Sequence, residues 1–274
     1  MVHERLKQQL QHALERQQFK VHYQPKFHLN SGRLQGVEAL LRWRNDAGVW
    51  IAPSTFVPML EQTGVINEVG AWLLDRAASD SIYWRVHGQN VMRVSVNISP
   101  LQLRERQYRD WLIANCASWQ AAGVELDLEL TESALMPSAA DVMAALDALA
   151  ALNVRISLDD FGTGYSSLSL LARLPVRELK IDRSFVAQLG SSRKATLVVS
   201  AIIRLAREIG LQVIAEGIET DRQLEHLREL GCDIGQGFLF SAALNRDDLL
   251  VRLRGAKALP RTAGKDVFAE WAYP

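Results

Sequence analysis

A (β/α)8 barrel, an α/β fold of eight strands each followed by helical chain, is the architecture this sequence predicts, and three observations predict it. Short β-rich runs alternate with helical patterns, eight such runs can be counted, and 274 residues is enough for one large domain of this kind. A hydrophobic fraction of 48% and a charged fraction of 23% match a soluble globular chain and exclude a predominantly disordered one. An open doubly wound sheet is the competing solution, but it calls for a Gly-rich phosphate turn after its first strand, and none is present.

The strands are expected at Val21–Phe27, Gly36–Trp43, Arg93–Ile98, Leu126–Thr131, Arg155–Asp160, Glu178–Asp182, Gln212–Glu216 and Gly235–Phe240. Between them, Ile66, Val69, Leu73 and Ala77 recur at helical spacing in a segment that Gly88 ends. Ser138 can cap a helix carrying Val142, Leu146 and Leu149, which Asn153 stops. Thr220 and Gln223 form a capping box, and Gly231 closes that helix. Asn245 opens a last amphipathic stretch, and Leu259–Pro274 has no clear period. The expected organisation is one domain over residues 4–250 and a C-terminal tail over 251–274.

Lys and Arg number 31, as do Asp and Glu, so the chain lacks the basic excess with which a protein grips a nucleic-acid polymer. Cys116 and Cys232 match no metal or disulfide spacing and read as reduced, buried thiols. The start, MVHERLKQQLQH, is charged where a signal peptide is apolar, and no run approaches a membrane span. A cytoplasmic protein, or the cytosolic domain of a larger one, is expected.

In such barrels the chemistry lies at the C-terminal ends of the strands. Here those positions carry Gln24, Glu38, Asn97, Glu129, Asp159 with Asp160, Lys180, Glu216 and Gln236. Carboxylates converging on one mouth repel each other unless cations sit among them, so the pattern points to metal. Oxygen ligands without a neighbouring His or Cys favour Mg²⁺ or Mn²⁺ over zinc. His3, His12, His22, His28, His87 and His226 lie away from the acids.

Asp159 and Asp160 are adjacent, and neighbouring strand residues face opposite ways, so both can bind only where the strand ends. There Asp159 could bridge two ions and Asp160 hold the second, the arrangement that activates water for phosphodiester displacement. The Gly-containing run to Tyr165 can turn tightly beside them. Lys180 is either a structural counter-ion or a group that orients the attacking water. Arg42 is either a surface cation or a bidentate phosphate contact. Trp43, Trp72 and Trp119 read as packing residues rather than a base-stacking platform.

Glu38-Ala39-Leu40 followed by Arg42-Trp43 resembles the signature of EAL domains, the cyclic di-GMP phosphodiesterases. Tyr23-Gln24-Pro25, Asn97-Ile98-Ser99, Glu129-Leu130-Thr131-Glu132 and Asp159 to Tyr165 resemble further family motifs. Lys180-Ile181-Asp182, Glu216-Gly217-Ile218-Glu219 and Gln236-Gly237-Phe238 follow in the family's order. The resemblance implies a modified, TIM-like (β/α)8 barrel whose first strand is antiparallel to the others. It implies hydrolysis of cyclic di-GMP to linear 5'-pGpG with two Mg²⁺ or Mn²⁺ ions, Ca²⁺ being inhibitory.

By position, Glu38, Asn97, Glu129 and Asp159 would hold the first metal, and Asp159 and Asp160 the second. Glu216 would lie close through water, and Lys180 would contact the nucleophilic water. Gln24, Leu40, Arg42 and Gln236 would lie along the dinucleotide. Glu132 would anchor the loop after Asp160, which the family links to homodimerisation, and Glu219 would support the site. The chain departs from the family at Phe240-Ser241-Ala242-Ala243, which lacks a usual Pro, and at Phe238, where Tyr is commoner. A GGDEF cyclase partner is absent from this chain, and an upstream sensory or receiver domain would lie outside it. The alternative function on the same fold is a non-catalytic cyclic di-GMP receptor signalling to a protein partner; such receptors typically lose acids that are all retained here.

Overall fold

The computed structural model describes residues 2–89, 93–131, 140–162, 171 and 173–255. Its strands are β1 (Phe19–His28), β2 (Leu34–Arg44), β3 (Trp50–Ile51), β4 (Arg93–Asn97), β5 (Glu125–Thr131), β6 (Arg155–Phe161), β7 (Val176–Ile181), β8 (Gln212–Ala215) and β9 (Ile234–Gly235). They follow one another in space as β1, β9, β8, β7, β6, β5, β4, β2, with β1 pairing β2 to close an eight-stranded barrel. β1 runs antiparallel to both β2 and β9, and every other neighbour in the barrel is parallel. The closed mixed barrel with a reversed first strand is therefore the observed architecture, and the open sheet is excluded.

β2 runs on past Glu38 to Arg44, but its parallel pairing with β4 covers only Gly36 to Ala39. Beyond that point it leaves the barrel and forms a hairpin with β3. This extension, helix Pro53–Thr63 and the N-terminal helix Val2–Gln11 enclose a second small core of Leu10, Phe19, Trp43, Phe56, Met59, Leu60, Ile66 and Val69. The main core lies between the barrel wall and the surrounding helices, Ile66–Val86, Arg106–Ala121, Ala140–Ala151, Arg193–Glu208 and Asp221–Glu229 among them. Cys116 and Cys232 are free and buried. Trp43 is fully buried, and Trp72 and Trp119 pack at the edge of the core.

Helix ends follow local chemistry. Thr220 and Gln223 complete the expected capping box, Gly231 takes a left-handed φ of 80°, and Asn153 one of 56°. Asn245 Oδ1 accepts from the N–H groups of Asp247 and Asp248, starting helix Arg246–Gly255. That helix crosses the boundary expected after residue 250, and Ser138 and Leu259–Pro274 lie outside the described residues.

The last strand is shorter than the expected Gly235–Phe240. It ends at Gly235, and Gln236 to Phe240 form a turn. The physical reason is contact with the segment after β8: Ile218 N–H donates to Gln236 O, and Leu239 N–H donates to Ile218 O. Gly237 lies so close that a Cβ there would sit 2.1 Å from Ile218 O and 2.3 Å from Ile218 N. Gly237→Ala is expected to destabilise the fold by about 1–3 kcal/mol through this overpacking. A lower urea midpoint at unchanged m-value checks it; an unchanged midpoint contradicts the contact.

Candidate active site

Alternation along the parallel strands turns every second residue into the barrel. The upper inward layer carries Glu38, Glu129, Asp159 and Lys180, all buried, and the layer beneath carries Lys26, Ser95, Asp127, Ser157 and Glu178. Within the lower layer Arg93 Nε donates to Asp127 at 2.8 Å and Ser157 Oγ to Glu178 at 2.7 Å.

Lys180 is 1% exposed and stands at the centre of the upper layer. Its Nζ lies 2.5 Å from Glu129 Oε2, 2.6 Å from Glu216 Oε1, 3.1 Å from Asp159 Oδ2 and 3.8 Å from Glu38 Oε2. Glu38 also accepts from Asn97 Nδ2 at 2.8 Å and from Gln236 Nε2 at 2.6 Å. Gln236 reaches Glu216 as well, at 3.3 Å. The structure thus brings Glu38, Asn97, Glu129, Asp159, Lys180, Glu216 and Gln236 into one cluster.

Asp160 joins by a route other than a strand end. β6 continues to Phe161, but its pairing with β7 shifts between Leu158 and Phe161, and Asp160 adopts a left-handed φ of 55°. Asp tolerates that region better than most residues. The kink lets the Asp160 N–H donate to Asp159 Oδ1 at 2.9 Å, and it leaves the Asp160 side chain exposed while Asp159 stays buried.

Leu40 and Arg42 continue the inward face of β2 beyond the barrel and line a cavity of about 550 Å³. Pro58, Glu61, Asn97 and Ser99 contribute to its wall, and Ser99 Oγ donates to Glu61 Oε1 at 2.6 Å. Arg42 is half-buried and donates to Leu41 O. Gln24 faces Ser241, donating to its carbonyl at 3.2 Å. Glu219 is exposed, with its backbone N–H bound to Gln223 Oε1, apart from the Lys180 cluster. Glu132 and Thr163 to Tyr165 lie outside the described residues. His12, His22, His28, His87 and His226 stay outside the cluster, and Phe238 is 67% exposed beyond Gln236.

Sequence reasoning missed Lys26, whose Nζ holds Ser95 Oγ and, at 3.1 Å, Glu129 Oε1. The signal was its place two residues after Gln24 on an alternating strand. Glu61, on a helix whose relation to the mouth is purely tertiary, left no comparable mark.

Charge balance organises the site. Burial pushes the Glu129 carboxyl up, but Lys180 and Lys26 outweigh it and bring it to about 2. Burial likewise lowers Lys180, yet Glu129, Glu216, Glu38 and Asp159 hold it well above an ordinary lysine, so it stays an ammonium. Glu216 is pushed up to about 8, by burial first and then by Asp159, Glu38 and Glu129 against the opposing pull of Lys180. Glu38 and Asp159 are raised too, burial leading in each.

Two ammonium groups therefore do not satisfy the acids that surround them. The oxygen-only donor set, Glu38, Asn97, Glu129, Asp159, Asp160 and Glu216, fits a hard divalent cation and not a thiol- or imidazole-loving one. As placed, the acids turn toward the Lys180 ammonium, and no three His, Cys, Asp or Glu among the described residues are arranged about a common ion position.

Between an ordinary glutamate value of 4.5 and about 8, the folded metal-free protein holds a proton on Glu216 that the unfolded chain has released. The folded state binds more protons there, so stability falls as pH rises through that window, by on the order of 1 kcal/mol per pH unit. Urea unfolding of chelator-treated protein at pH 5, 6.5 and 8 measures the slope. Glu216→Gln should flatten it, and an equally steep slope in that variant would assign the proton elsewhere.

The EAL domain family model matches residues 7–243. The chain is 42% identical over 241 residues to the bifunctional diguanylate cyclase/cyclic di-GMP phosphodiesterase MucR of Pseudomonas aeruginosa, covering 88% of this chain and 35% of that protein. It is 38% identical over 239 residues to the cyclic di-GMP phosphodiesterase NbdA of the same organism, covering 87% and 30%. The chain thus spans about a third of the length of these relatives. The solved structure of the MucR phosphodiesterase in complex with c-di-GMP superposes with a TM-score of 0.83 at 42% identity, covering 89% of this chain and 99% of that one. With the motifs, the reversed-strand barrel and the family match in agreement, this chain belongs to the EAL domain family.

Proposed function

We propose that this domain is a metal-dependent phosphodiesterase that hydrolyses cyclic di-GMP to linear 5'-pGpG. The observation that carries this reading is the unbroken ring of Glu38, Glu129, Asp159 and Glu216 around the Lys180 ammonium at the barrel mouth. The phosphodiesterase activity named for MucR and NbdA, and the c-di-GMP held in the MucR structure, supply the substrate class.

Glu38, Asn97, Glu129 and Asp159 would hold one Mg²⁺ or Mn²⁺, and Asp159 with Asp160 a second. When bound, such a pair supplies an activated water and neutralises charge on the scissile phosphate. Lys180 cannot accept a proton, because it is held as an ammonium. Its part is to turn one of its three N–H groups from a carboxylate to the attacking water, while the other two stay on the remaining members of the set Glu129, Asp159 and Glu216 and fix its Nζ. Arg42 would hold a phosphate from the cavity side. Leu40 presents an apolar wall there for one guanine, and Gln24, which pairs with Glu38, and Gln236, which donates to Glu38, would meet the dinucleotide at the strand next to it. A homodimer, with Glu132 anchoring the loop after Asp160, and a cytoplasmic location complete the reading. Among the described residues no helix is long and apolar enough to cross a membrane. The greater length of the relatives makes an accompanying sensory or receiver domain part of it too.

Product analysis on purified protein with cyclic di-GMP tests the proposal. pGpG is expected with Mg²⁺ or Mn²⁺ and little with Ca²⁺, whose longer bonds and larger ligand number misplace the reacting groups. Tight binding without turnover in either active metal would favour the receptor. Glu38→Ala and Asp159→Ala should each lower kcat by more than the roughly 10–100-fold seen when a residue merely supporting a metal ligand is changed. Calorimetry should show weaker Mn²⁺ binding in both.

Arg42→Ala removes a charge-assisted phosphate contact and spares the acids. It should raise KM by about 10–100-fold with a smaller change in kcat. An unchanged KM would return Arg42 to the role of a surface cation.

A further inference from the structure

Lys26 is 3% exposed, lies inside the barrel and has no part in the reaction just described. Its position follows from the reversal of β1. On the parallel strands, residues further along the chain stand nearer the mouth, whereas on β1 they stand deeper. Gln24 pairs with Glu38 at the level of the acids, and Lys26 pairs with Gly36 beneath them. From below, Lys26 Nζ holds Ser95 Oγ on β4 and Glu129 Oε1 on β5. From the mouth side, Lys180 Nζ holds the other oxygen, Glu129 Oε2, at 2.5 Å. Glu129 is 1% exposed, so neither oxygen has water to turn to.

We propose that Lys26 is a positioning residue that ties Glu129 Oε1 to the barrel floor, so that Glu129 offers only Oε2 to the reaction centre. The inference rests on the reading of Glu129 as a metal ligand. Its physical content is a choice of denticity. A carboxylate with both oxygens free can chelate one hard cation through both, whereas one with an oxygen committed to an ammonium donates singly. Lys26 also places a positive charge beside the ligand, which opposes a bound cation. It therefore sacrifices metal affinity for a fixed ligand geometry.

Removing Lys26 should lower turnover without lowering metal affinity, a separation that loss of a structural ion pair would not give. In Lys26→Met, kcat should fall about 10–100-fold, with KM for cyclic di-GMP within about twofold. Mn²⁺ binding, measured by calorimetry without substrate, should be equal to or tighter than in the wild type. Lys26→Gln keeps an N–H donor for Oε1 without the charge and should recover part of the lost kcat. If Lys26→Met does not fold, Ser95→Ala, which frees Lys26 from β4, should lower kcat in the same direction with Mn²⁺ binding retained.

A folded Lys26→Met with wild-type kcat overturns the proposal, as does one whose Mn²⁺ affinity and kcat fall together. In the absence of folded Lys26→Met, so does an unchanged kcat in Ser95→Ala. A wild type that binds no Mn²⁺ overturns the metal-centre reading and this one with it. A wild type that binds Mn²⁺ and turns over, beside an unaffected Lys26→Met, overturns the positioning role alone.

Discussion

The ammonium of Lys180 has four carboxylates within 4 Å in the interior of a closed barrel, and the site is arranged around it. Burying a charge is costly unless it is paired and hydrogen-bonded. A carboxylate ring without its central cation would leave several unpaired charges in a low-dielectric space, and the lysine alone would fare no better. Glu38, Glu129 and Asp159 come from three different strands and Glu216 from the segment just after β8, so the favourable pairing exists only when the sheet has closed. The same ring leaves a deficit of positive charge that Lys180 and Lys26 do not make up, and the neighbouring acids add to burial, the larger cause, in pushing Glu216 up to about 8. Affinity for further cations follows directly from that deficit.

Reversal of β1 adds two things that a regular parallel barrel would lack. Running antiparallel to β2, β1 stays paired with that strand as far as Phe19 opposite Trp43, past the end of the β2–β4 ladder, where β2 lines the cavity beside the acids, so the wall that would receive the substrate continues a strand that carries a proposed ligand. It also delivers Lys26 to the floor beneath Glu129, a contact between residues 103 positions apart. The second small core around Trp43 and Phe56 fixes the β2–β3 hairpin against helix Pro53–Thr63 and keeps the cavity open.

Two breaks in strand regularity aim the remaining side chains. The left-handed residue at Asp160 sets its carboxylate apart from that of Asp159, and the turn at Gly237 brings Gln236 back over Glu38 and Glu216. Neither region follows the alternation that serves the other strands, and each lies where the proposed chemistry needs a side chain off the regular pleat.

The order of the barrel elements was legible in the chain because alternation and helical spacing are local properties, and the seven strands from β1 to β8 other than the short β3 fall within two residues of where the pattern puts them. Polar residues recurring near strand ends likewise marked Glu38, Asn97, Glu129, Asp159, Lys180 and Glu216 before any geometry was known. The direction of β1 was not legible from its pattern, since a period of two reads the same in both senses; only the family resemblance pointed to it. The short β9 was hidden too, because its end is set by the backbone of Ile218 rather than by its own residues. Lys26 looked like any charged residue in a strand, and Glu61 like any on a helix surface. Sequence determined which side chains each element carries, because periodicity and turn chemistry act over a few residues. Tertiary structure alone decided which charges meet, because those energies depend on distances between strands that only closure of the barrel sets.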